Sequence, residues 1–194
     1  MCLQRLLVVT AFVVLGILPA AGVSADAGAQ TLEYHVGDAL LAAINPAFSP
    51  AIALAPSGDT IEIMGNGTLS LHPKSVTGEG TFVHKGPTGD IVGSGTWTAS
   101  KLLSFNNYGP STDPAFPASF RGGQAEILVH LVGAPAGGGP TVEADAVLRV
   151  TCRLPGDSGP AHQGADEGIT LNVKDATNFN KRAGGATLLI QTSP

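Results

Sequence analysis

The sequence predicts an all-β fold: an antiparallel sandwich or small barrel of about nine or ten strands with at most one short helix. Three observations carry this. Short alternating runs are separated throughout by Gly- and Pro-rich turns. Residues 142–154 form one long alternation, with Val142, Ala144, Ala146, Leu148, Val150, Cys152 and Leu154 on one face. The opposite face carries Thr141, Glu143, Asp145, Arg149, Thr151 and Arg153, with only Val147 out of pattern, as expected of a half-buried antiparallel strand. The third observation is a repeat, Gly-x-Gly-Thr followed by a large apolar residue. It occurs as Gly65–Leu69, Gly78–Phe82 and Gly93–Trp97, at spacings of 13 and 15 residues, enough for one strand and one turn.

The repeat has a geometric meaning. Glycine weakens a strand unless a bulge, a bend or a close backbone approach needs the missing Cβ. Two glycines at alternate positions bare one face, and the Leu, Phe or Trp two residues later points to that same face. The bare strip is expected to receive an aromatic ring, a crossing strand or a ligand.

Residues 1–25 read as a secretory signal peptide. Arg5 gives the positive start, Leu6–Leu18 is an apolar run too short to span a bilayer, and Pro19 ends it. Small residues follow, and cleavage is placed after Ala25. The remainder, 26–194, fits a single secreted, extracellular β-domain of about 169 residues. It keeps one cysteine, Cys152, on the apolar side of its strand, where a buried, inert thiol is expected.

Along the domain, Thr31–Val36 suggests a first strand, and Asp38 caps a helical turn or two that Pro46 ends. Residues 51–55 are expected as an edge strand or packed loop between prolines. Thr60–Met64 and Gly67–His72 alternate as strand, and a polar loop is expected from 73 to 78. Gly80–Lys85 and Asp90–Ala99 form a hairpin about the Gly86-Pro87-Thr88-Gly89 turn, with Leu102–Phe105 extending the sheet. The segment 106–123, with three prolines, Tyr108, Phe116 and Phe120, reads as a long loop, either an Ω-like loop covering the open end of the sheet or a lid or binding loop. Strands follow at 124–132, 142–154, 169–173 and 186–192, and 175–185 reads as a polar connection.

Several function classes are excluded. Without Arg5 the domain has nine basic and fifteen acidic residues, a net charge of −6, and no basic run. It is not expected to bind nucleic acid or anionic membrane surfaces. No apolar segment of the mature chain is long enough to span a membrane as a helix. The five histidines, at 35, 72, 84, 130 and 162, show no metal-ligand spacing, so no metal or cofactor is implied. Neither Ser94 nor Ser158 sits in a strand–turn–helix nucleophile motif.

The function expected from these residues is non-catalytic binding of a small apolar ligand or a surface partner. Phe82, His84, Trp97, Tyr108 and His130 are the candidate ligand contacts. One alternative is a small β-barrel isomerase or hydrolase using His84 and His130; another is a structural protein that assembles through sheet edges. Asn66-Gly67-Thr68 is a glycosylation sequon, usable where the host modifies secreted proteins, and requires Asn66 to face solvent.

Overall fold

Hydrogen-bonded neighbours in this chain are mostly neighbours in sequence. The computed structural model describes residues 30–159 and 166–193; the expected signal peptide and His162 lie outside them. The strands are β1 (Thr31–Val36), β2 (Ala51–Leu54), β3 (Thr60–Leu71), β4 (Lys74–Lys85), β5 (Ile91–Pro110) and β6 (Arg121–Pro135). They continue as β7 (Val142–Cys152), β8 (Gly168–Val173), β9 (Asn178–Phe179), β10 (Lys181–Gly184) and β11 (Thr187–Ser193). One short helix, α1 (Ala39–Ile44), is described. All pairings are antiparallel, in the order β10-β2-β3-β4-β5-β6-β7-β8-β9. β3 serves two partners on one side, β2 along 60–63 and β1 along 65–70, and β11 pairs with β1. The sheet curls into a half-barrel.

Period-2 alternation builds the core. Leu102, Ile127, Leu148, Leu171 and Phe179 lie opposite one another across β5 to β9 and are all buried. Leu32, Tyr34, Ile61 and Ile63 cover the other wall. Three register shifts in β5, at 99/101, 102/104 and 107/109, each add a residue against β6. Such bulges raise local twist and help a long strand follow a curved sheet.

Four segments differ from the sequence expectation. The polar loop expected at 73–78 is only the link His72–Pro73, because β4 starts at Lys74 and pairs Val76 with Leu69 and Gly78 with Gly67. The loop expected at 106–123 shrinks to 111–120, because Asn107 pairs with Gly123 and Gly109 with Gly122. Tyr108 is therefore a strand residue. The connection 175–185 holds β9 and β10, and its Phe179 is buried. β2 is not at an edge, since β10 hydrogen-bonds its free side.

The helix start follows from a carboxylate. Asp38 is buried, and its Oδ1 accepts from the Leu41 amide at 3.2 Å. Its Oδ2 accepts from His35 Nδ1 at 2.7 Å and from Asn66 Nδ2 at 3.2 Å. One side chain thus ties α1 to β1 and β3. Asp38→Ala is expected to reach the upper end of the roughly 0.5–2 kcal/mol that cap removal costs. Urea unfolding checks this, and an unchanged midpoint would contradict it.

A cleft at one end of the glycine-lined wall

The glycine strip faces the concave side of the half-barrel, and the chain's own aromatic rings cover most of it. The Trp97 ring lies over two glycines. An added Cβ would sit 2.5 Å from the ring at Gly65 and 2.6 Å from Nε1 at Gly80. The indole N–H donates to the Met64 carbonyl at 3.2 Å. At Gly78 the Tyr34 hydroxyl occupies the Cβ space and donates to the Thr77 carbonyl at 3.1 Å. Burial raises the Tyr34 phenol above its ordinary pKa. Phe82 lies opposite Gly95, and Gly95 lies opposite Gly133, so the Phe82 ring reaches across one glycine onto the next.

Beyond Phe82 the wall stays open. A cleft of about 310 Å³ remains, walled chiefly by Ile61, Phe82, His84, Leu131, Val142 and Phe179. Small residues keep it open, among them Gly93, Gly133, Ala144 and Ala176. Its rim is apolar and solvent-facing: Val92 is 47% exposed and Val142 59%. His84 is the only ionisable side chain in the lining; Ser94 and Thr177 add hydroxyl groups. The His84 Nε2 lies 3.3 Å from Asp59 Oδ2, and the ring stands edge-on to Phe179, with centroids 5.4 Å apart and planes at 84°. A carboxylate on one ring nitrogen fixes the orientation of an imidazole.

Of the five candidate contacts, Phe82 and His84 meet in this cleft. Trp97, Tyr108 and His130 do not line it. Trp97 is 1% exposed and packs on glycine. Tyr108 is buried farther along β5, with the Arg153 guanidinium 5.5 Å from its ring centre. Burial is the main reason its phenol is raised. His130 faces outward, opposite to buried Val129 and Leu131, and lies 3.1 Å from Asp145 and 3.5 Å from Glu143. Its hydrogen bond to Asp145 raises its pKa. His84 lines the inside and His130 faces outside, so no centre shared by both forms. Asn66 is exposed on the outer face, between inward-facing Gly65 and Gly67.

The sequence signalled some of the cleft and missed the rest. Phe179 was hidden as one apolar residue in a polar stretch, and its place depends on the Leu171–Phe179 pairing. Gly133 belongs to none of the three repeats, yet it faces Gly95. Cys152 is buried, and its thiol is pushed up by burial, which leaves it unreactive. Among the described residues, no group of three His, Cys, Asp or Glu side chains is placed to hold a metal ion. No described helix is long and apolar enough to cross a membrane. Comparison with protein-family models, curated proteins and solved structures returns no match.

Proposed function

We propose that this chain is a secreted protein that binds a small apolar ligand, without catalysis, in the cleft between Phe82, His84, Val142 and Phe179. One observation carries the reading: an apolar cleft of about 310 Å³ contains a single oriented ionisable group. Small-molecule sites are typically concave, apolar and about 300–1,000 Å³, with a few placed polar groups that set orientation. The exposed valines at the rim support it, since they give a ligand further apolar surface at the cleft mouth. Secretion is part of the proposal and rests on the N-terminal pattern of Arg5, the apolar run 6–18 and the small residues before Ala25. The mass of protein collected from the medium reports cleavage and any glycan on Asn66.

The direct test fills the cleft. Ala144 faces it from β7. Ala144→Phe is expected to weaken binding of an apolar fluorescent probe by about tenfold or more, equivalent to about 1.4 kcal/mol, with an unchanged circular dichroism spectrum. Undiminished probe binding in a folded Ala144→Phe protein would move the site elsewhere.

A further inference from the structure

We infer that the cleft selects a neutral ligand that carries a hydroxyl on an apolar body, and that His84 Nδ1 accepts the hydrogen of that hydroxyl. The inference rests on the proposed cleft and adds the chemical class of its occupant.

Asp59 places the proton on His84. Asp59 Oδ2 lies 3.3 Å from Nε2, and an ionised carboxylate only accepts hydrogen bonds. Nε2 therefore carries the hydrogen. In the neutral imidazole the other nitrogen, Nδ1, is then an acceptor. No described residue bonds to Nδ1, and the ring lines the cleft. A ligand with an O–H fits that lone pair; a pure hydrocarbon leaves it without a partner.

Charge points the same way. No Lys or Arg lines the cleft. Lys85, next to His84 in sequence, is 2.6 Å from Glu62 and engaged there. An anionic head would give up its water with no cation to replace it, and would face the Asp59 carboxylate behind the imidazole. The site therefore disfavours carboxylates, including fatty acids, although its walls suit their chains. Size sets a further limit. Filled at the interior packing density of about 0.75, the cleft holds on the order of a dozen non-hydrogen atoms.

The experiment compares three probes with one apolar body: naphthol, naphthoate and naphthalene. Binding is measured by fluorescence to the full chain at mildly alkaline pH. Naphthol is expected to bind about tenfold more tightly than naphthoate and several-fold more tightly than naphthalene. In His84→Leu the preference for naphthol over naphthalene is expected to vanish. Nitrogen NMR of the wild-type imidazole gives a readout that needs no variant. Naphthol is expected to shift the Nδ1 resonance and leave Nε2 in place.

Naphthoate binding as tightly as naphthol would overturn the inference and leave the apolar cleft standing. So would a naphthol preference that survives His84→Leu, or a shift at Nε2 in place of Nδ1. Absence of binding by all three probes would overturn both the inference and the cleft reading beneath it.

Discussion

Trp97→Ala is expected to lower stability by about 3–5 kcal/mol, the range for removing a large buried aromatic. Its side chain is 1% exposed, and the ring fills the space that two glycines leave on neighbouring strands. Removing it opens a cavity whose floor has no side chains to collapse inward, which places the cost at the high end of cavity-forming substitutions. The Met64 carbonyl also loses its indole donor. For a chain of this size each kcal/mol moves Tm by roughly 2–4 °C, so the melting point should fall by about 6–20 °C. No compensating substitution fits from below. At Gly80 an added Cβ would stand 2.0 Å from the Met64 oxygen as well as 2.6 Å from the indole nitrogen. Thermal unfolding tests the expectation; a loss below about 1 kcal/mol would show that the ring is not what holds these strands together. Apolar-probe affinity of the folded fraction should be unchanged, because Trp97 does not line the cleft.

Glu167→Ala should cost on the order of 2–6 kcal/mol, about 1–3 for each buried N–H left without an acceptor. Glu167 precedes β8 and accepts from the Arg153 amide at 2.5 Å and the Thr187 amide at 2.7 Å. It also accepts from the Thr187 hydroxyl at 2.9 Å, which has a second partner in the Thr151 carbonyl. One carboxylate therefore pins the end of β7 to the start of β11. Burial dominates its titration and raises its pKa above the ordinary glutamate value, against the lowering effect of these donors. A carboxyl with a raised folded pKa holds its proton more tightly folded than unfolded. Its contribution to stability is thus greatest at low pH and falls as pH rises from the unfolded value, about 4.3, through the folded one. Glu167→Gln removes this titration. The stability of wild type minus that of Glu167→Gln should decline with rising pH in urea unfolding; a difference that grows with pH would contradict the sign.

The sequence revealed what depends on alternation and hid what depends on pairing. Inward Ile61, Ile63, Ile127 and Val129 follow from period 2 alone, as does the shared face of Phe82 and His84. The Gly-x-Gly-Thr repeats announced a close approach, and the rings of Trp97 and Tyr34 make it. The residues at 74–78 look polar because their apolar content is only Val76 and Gly78, yet the facing half of β3 supplies Leu69 and Gly67 as partners. Likewise 106–110 resembles loop until Gly122 and Gly123 are set against it. The cleft was half legible for the same reason. Its β4 side is written in local periodicity, whereas Phe179 and Gly133 arrive through register with distant strands.

The β1–β11 ladder also determines how the molecule bears load. Thr31 pairs with Ser193 and Val36 with Thr187, so both described chain ends leave the sheet at the same end of one antiparallel ladder. Tension applied through those ends falls on the terminal pair first and then on each next pair in turn. The ladder peels like a zipper, with its bonds strained one after another and never in parallel. A tether at both ends therefore loads the β1–β11 ladder in this one-at-a-time geometry, and through Thr31, which also lies opposite Ser70, it loads the matching end of the β1–β3 ladder.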